Sequence, residues 1–134
     1  MNKNLVDRQD QNSEYVHLVL EDGILIAEYA KDLEITLTIA EDCVKRRLTL
    51  VDQKSYPTLA DITHIKGTDK EAREYLSSDM AMQGVSAGAI LVSSAFSTMI
   101  GNFYLKIAYD KPIPTRLFSE KSKAIKWLQR YKEV

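Results

Sequence analysis

The sequence predicts an α/β fold: a mixed β-sheet that opens with an antiparallel hairpin, continues in β-α units, and carries about four helices largely on one face. Three observations predict it. Asp22-Gly23 stands between two short apolar runs, the strongest local signal for a two-residue hairpin turn. From residue 33 onward, strand-like and helix-like patterns alternate, which argues mainly parallel strands. Val85 to Ser93 (VSAGAILVS) is apolar without alternation, as a strand covered on both faces should be.

The elements follow in order. Tyr15 to Glu21 is the first strand and Ile24 to Ala30 its return. In the return strand Ile24, Ile26, Glu28 and Ala30 face one way, and Leu25, Ala27 and Tyr29 the other. Thr38 with Glu41 three residues on reads as a capping box, opening a helix from about Ile39 to Val51. Its stripe is Ile39, Cys43, Val44, Leu48 and Val51. Tyr56 to Ile62 is a strand with Pro57 near its start. Asp69 caps a helix over Lys70 to Met80, with Ala72, Tyr75, Leu76 and Met80 inward. After the Val85 strand, Ser94 caps a helix from Ala95 to Ala108, whose apolar face is Phe96, Met99, Ile100, Phe103, Tyr104 and Ile107. Thr115 to Phe118 is the last strand. Ser119 caps the final helix, Glu120 to Lys132, with Ala124, Ile125, Trp127, Leu128 and Tyr131 on its stripe. Residues 1–14 are polar and read as a frayed tail, leaving 15–134 as one domain.

Composition narrows the function. The chain has 134 residues, 45% hydrophobic and 28% charged, an ordinary globular balance. Its net charge of -1 gives no electrostatic footprint for nucleic acid. The charge is uneven: residues 1–110 carry 11 basic and 17 acidic side chains, residues 111–134 carry 7 and 2. The basic end reads as a solvated helix face, with docking of an acidic partner as the sharper alternative. The single cysteine, Cys43, allows no internal disulfide and fits a reducing compartment. With no long apolar run and no apolar core near the N-terminus, the expected location is cytoplasmic, without a membrane span.

Catalysis finds little support. Gly84-Val85-Ser86-Ala87-Gly88 spells the G-x-S-x-G of a nucleophile elbow. That elbow belongs between the end of a strand and a helix, whereas this one begins a strand. Both histidines, His17 and His64, precede Ser86, and neither has the spacing of a metal pair. No cofactor or metal is expected. In an open α/β sheet, ligands sit beyond the carboxyl ends of the strands. That edge should gather Asp61, Thr63, His64, Thr68, Ser93 and Ser94, with backbone N–H groups of the Ala95 helix available to an anion.

The order of elements over residues ~15–132, together with three segments, resembles a known group. Asp61-Ile62-Thr63-His64-Ile65-Lys66-Gly67-Thr68-Asp69-Lys70 is similar to the strand-loop-helix motif of the STAS domains, in which a strand ends in Asp-hydrophobic-Ser/Thr and a helix then starts at Asp-Ser. Ala89 to Ser93 resembles the following central strand. Arg116 to Ser119 with Ala124 to Leu128 resembles the closing strand and amphipathic helix. The resemblance is closest to small bacterial SpoIIAA-like proteins. It implies a SpoIIAA-like fold and a non-catalytic regulatory or protein-interaction module like the anti-sigma factor antagonists. In those antagonists the Ser after the Asp is phosphorylated. Here Lys70 stands at that position, so the phosphoswitch does not carry over.

The carboxyl-edge cluster of Asp61, Thr63, His64, Thr68, Ser93 and Ser94, with Lys70 added by the resemblance, is the candidate ligand or partner site. A protein partner is expected, with a second copy of the chain a further candidate. Leu105, off the main stripe of its helix, is the interface candidate, while Phe103 is expected in the core. The alternative function is a carrier or sensor for a small apolar or anionic ligand, which needs a cavity of roughly 300 Å³ or more.

Overall fold

A computed structural model describes residues 10–109 and 111–132. The hairpin forms as expected. Strands β1 (Val16–Glu21) and β2 (Ile24–Tyr29) pair antiparallel around Asp22 and Gly23, whose φ values of 52° and 76° are the left-handed pair that this tight turn requires. Three further strands add in parallel: β4 (Tyr56–Asp61), β6 (Val85–Leu91) and β7 (Thr115–Phe118). The sheet order is β1-β2-β4-β6-β7. Two short segments absent from the sequence reading, β3 (Glu34–Ile35) and β5 (Gly67–Thr68), pair parallel to each other outside it.

Among the described residues, four α-helices complete the fold: α1 (Leu37–Val51), α2 (Lys70–Leu76), α3 (Ala95–Ala108) and α4 (Lys121–Leu128). Each parallel crossover steps the same way across the sheet. Crossovers of one hand then put α1, α2 and α3 on one face. Helix α4 follows the last strand and covers the opposite face, where Ala124, Trp127 and Leu128 pack on Ile24, Leu59, Ala87, Ala89 and Leu91. On the first face, Ile35, Ala40, Ile62, Ala72, Ile90 and Ile100 form one cluster, and Val16, Leu18, Ala27 and Cys43 another. With both faces covered, β6 is apolar apart from Ser86.

Several local expectations are corrected. The α1 cap is Thr36, not Thr38: Thr36 Oγ1 accepts from the Ile39 amide at 3.4 Å, and the helix starts two residues early. Asp69 caps α2 as expected, its Oδ1 accepting from the Ala72 amide at 2.8 Å. That helix stops at Leu76, because the Ser77 and Ser78 hydroxyls donate to the Arg73 and Tyr75 carbonyls, each at 2.6 Å. Met80 therefore lies beyond the helix and is exposed. Ser119 does not cap α4, which begins after Glu120 without a side-chain cap and ends in a 3₁₀ turn, Gln129–Tyr131.

The largest correction concerns α3. Its buried residues are Ser97, Ile100, Gly101 and Ala108, while Phe96, Met99 and Phe103 are 36%, 58% and 38% exposed. The core role expected of Phe103 is thus overturned. The side chain of Ile107, also expected on the stripe, lies outside the described residues. Small residues let α3 approach the sheet. A Cβ on Gly101 would stand 3.0 Å from Val92 Cγ1 and 3.1 Å from Leu117 Cδ1, so the helix seats closest where it has no side chain.

Of the tail expected over residues 1–14, positions 1–9 lie outside the described residues. Residues 11–13 are tied to the body. Asn12 Oδ1 accepts from the Leu18 amide at 2.6 Å, Ser13 Oγ accepts from the Tyr15 and Val16 amides, and Arg46 donates to the Gln11 and Asn12 carbonyls. This segment shields the outer edge of β1.

Candidate functional site

The seven candidate residues fall in four places. Asp61 ends β4, where its Oδ1 accepts from the Thr63 amide at 3.0 Å and the Thr63 hydroxyl at 2.7 Å. This Asx turn reverses the chain after the strand. Ser93 Oγ donates to the Thr63 carbonyl at 3.1 Å, joining the loops that follow β4 and β6. His64 lies exposed in the same loop, and its carbonyl accepts from the Asp32 amide. Asp61, Thr63, His64 and Ser93 thus do gather at the carboxyl edge. Register adds two residues to them. His17, Glu28 and Asp61 sit abreast on β1, β2 and β4, on the α4 side of the sheet but beyond the reach of its apolar contacts. With Glu14, Lys31, Thr63 and His64 they line an open cleft of about 320 Å³. The signal was present in the sequence, since Glu28 shares the face of Ile24 and Ile26.

Ser94 caps α3 and takes one of the helix N–H donors expected to hold an anion, that of Ser97, while the Ser97 hydroxyl takes the two amides that precede the helix. Ser97 Oγ accepts from the Ser93 and Ser94 amides, both at 2.9 Å, and Ser94 Oγ accepts from the Ser97 amide at 3.0 Å. Lys70 is exposed beside Glu74 at 3.9 Å, an i,i+4 surface pair of small energetic weight. Ser86 lies at the start of β6, five residues from Leu91, whose register partner is Asp61. At about 3.3 Å per residue that separates it by about 16 Å from the His17–Asp61 row, so no histidine of the row stands near it.

Thr68 belongs elsewhere. It borders a partly open cavity of about 180 Å³ between the sheet and helices α1 to α3. The walls are mostly apolar, among them Val16, Leu18, Ala27, Val44, Ile90 and Ile100. Polar groups interrupt them. Arg47 is only 8% exposed and donates from Nη1 to the Gln83 carbonyl at 2.6 Å and from Nη2 to the Ala81 carbonyl. Burial lowers its pKa, and the neighbours that oppose this are the phenols Tyr29 and Tyr75. The Tyr104 phenol sits beside Thr68, yet neither buried hydroxyl closes a hydrogen bond of normal geometry. Burial pushes Tyr104 up to about 12 and raises Tyr29 further. Cys43 also lines the cavity, and burial, with Asp42 second, pushes its thiol up to about 12, the behaviour of a packed and unreactive sulfur. The sequence reading missed Arg47, although Cys43, Arg47 and Val51 share one helix face at i, i+4 and i+8.

A third feature is the outer side of α3, where Phe96, Met99 and Phe103 form an exposed ridge. The Arg73 guanidinium lies 5.3 Å from the centre of the Phe103 ring. Leu105, expected at an interface, is half-buried. Among the described residues, no group of three or more His, Cys, Asp or Glu is placed to hold a metal ion, and no helix is long and apolar enough to cross a membrane.

Residues 18–132 match the model of a family described as a domain of unknown function, DUF7793. The chain belongs to that family. The match takes in every strand and helix from β2 to α4, and so includes the α3 ridge and most of the cavity wall, while Glu14 and His17 of the cleft and Val16 of the cavity lie before it. No curated protein matches this DUF7793 chain. Among solved structures, it is similar to an uncharacterized protein of the DUF3478 family with a SpoIIAA-like fold, from Shewanella loihica PV-4. The TM-score is 0.58 over 87% of this chain and 96% of that one, at 16% identity. The expected SpoIIAA-like fold, and with it the STAS-like resemblance, therefore holds. At that identity the likeness carries the fold alone.

Proposed function

We propose that this DUF7793 chain is a non-catalytic regulatory module that works by docking a protein partner through the outer face of α3. The observation that carries this reading is the ridge of Phe96, Met99 and Phe103. These residues are spaced i, i+3 and i+7, so they stand above one another on a single helix face. Monomeric surfaces rarely leave contiguous large apolar side chains uncovered. Lys106 continues the same face three residues on, and Arg73 flanks Phe103. The partner that complements this surface is an amphipathic helix with an apolar stripe and an acidic end. Lys70 in place of a phosphorylatable serine fits a module controlled by something other than a kinase.

Met99→Asp tests the reading, because Met99 is the most exposed of the three and its loss leaves the core intact. Wild type and variant are used side by side to capture proteins from native extract, with quantitative mass spectrometry, and their oligomeric state is measured by light scattering. The reading expects a specific protein held by wild type and lost by the variant. Identical captured sets sink it, while a wild-type dimer that Met99→Asp dissociates makes the partner a second copy of the chain.

A further inference from the structure

We infer that the partly open cavity is a binding site for a small monocarboxylate with an apolar body, its carboxylate held by Arg47. This goes beyond the docking reading and stands on different residues. A buried cation is costly unless it is paired, and the partners of Arg47 are two backbone carbonyls rather than a carboxylate. A guanidinium carries five N–H donors in a fixed fork that suits a carboxylate. Around the same cavity run further donors. Tyr29 is close enough to feel both Arg47 and Tyr104, and Tyr104 adjoins Thr68. The Tyr104 and Thr68 hydroxyls are buried side by side, and neither makes a hydrogen bond of normal geometry to any third group.

Size sets the class of ligand. An apolar cavity of about 150 Å³ admits benzene, so about 180 Å³ admits a body only a little larger. It falls short of the roughly 300 Å³ of an ordinary ligand pocket. Long acyl chains are thereby excluded, and a branched or aromatic acid of about ten heavy atoms fits. The rim is half-buried Ser77, Met82 and Ile113, where such a molecule enters between the loop after α2 and the loop before β7.

The probes are phenylacetate, hexanoate, and phenylacetamide as the neutral isostere, titrated by calorimetry and by thermal melting. The inference expects at least one acid to bind wild type and raise its Tm with concentration. It expects phenylacetamide to bind at least tenfold more weakly than phenylacetate. Arg47→Met should abolish that difference. Because Arg47→Met also frees the Ala81 and Gln83 carbonyls and can unfold the chain, Ala27→Leu is the second variant. It fills the cavity from β2 while leaving Arg47 in place, and should abolish binding with Tm kept or raised. Failure of both acids to bind wild type overturns the inference. So does amide binding as tight as the acid, or acid binding that survives Ala27→Leu.

Discussion

Exchanging the two faces of α3 in a pair of alanine variants gives a direct test of how that helix sits. Ile100 is 5% exposed and points toward the sheet, where it lines the cavity. Ile100→Ala deletes three carbons, worth about 2.4 kcal/mol at ~0.8 kcal/mol per buried methylene. The space left joins an existing cavity and has little to collapse against it, so the cavity term adds to this, for a total of about 3–4 kcal/mol. Phe103 is a larger side chain but 38% exposed. Its replacement loses part of its buried area and a contact with Arg73 worth ~0.5–1 kcal/mol, and regains some helix propensity, for a net loss of about 1 kcal/mol. Equilibrium unfolding in urea separates the two. With a slope near 2 kcal/mol/M, Ile100→Ala should lower the midpoint by about 1.5–2 M and Phe103→Ala by about 0.5 M, both at unchanged slope. The opposite order would refute the orientation and restore Phe103 to the core.

Asp69→Ala should cost about 1 kcal/mol, since it removes the acceptor of the Ala72 amide from a two-turn helix; thermal melting reads it. Ser97→Ala should cost about 2 kcal/mol in the same assay, because its buried hydroxyl accepts from both the Ser93 and Ser94 amides. Alkaline stability follows from the buried acids. Cys43, ordinarily at 9.0, is pushed to about 12, and Tyr104, ordinarily at 10.0, likewise. Above pH 9 the unfolded chain releases these protons first, so stability is whole below pH 9 and falls as pH climbs toward about 12. Melting temperatures at pH 8, 9.5 and 11 should descend, and Cys43→Ala should flatten the first part of the descent.

The carboxyl-edge cluster was legible where sequence patterns are local. An Asp two residues before a Thr at a strand end makes its own turn, whatever surrounds it, so Asp61 and Thr63 were found. Thr68 was grouped with them because it is near in sequence. The pairing of Gly67–Thr68 with Glu34–Ile35 instead carries it onto the cavity wall. A two-residue parallel bridge spanning more than thirty residues leaves no local trace. Arg47 was passed over for a different reason. A cation on an apolar stripe reads as a residue at the stripe's margin, and only the approach of the Ala81–Gln83 carbonyls turns it inward.

The misreading of α3 shows where hydrophobic periodicity stops being decisive. Large apolar residues at Phe96, Met99, Ile100, Phe103 and Tyr104 spread over an arc of about 140° at 3.6 residues per turn, wider than a stripe of about 100°, so either edge of the arc can be the buried one. Burial prefers the side that lets backbones approach, and here that is the side of Ser97, Gly101 and Ala108, not the side with most carbon atoms. Ser97 is wholly buried because its hydroxyl closes the cap, and Gly101 because Val92 and Leu117 fill the space of its missing Cβ. Once the small residues are inward, Phe96, Met99 and Phe103 must face out. The same choice leaves Ile100 and Tyr104 at the cavity, so one helix carries the exposed apolar ridge on its outer side and a wall of the cavity on its inner side. On the two readings proposed above, a ligand in the cavity would press on the inner residues of the helix whose outer residues would meet the partner. Coupling between the two sites then requires only that α3 shift as a rigid rod, with no rearrangement of the sheet beneath it.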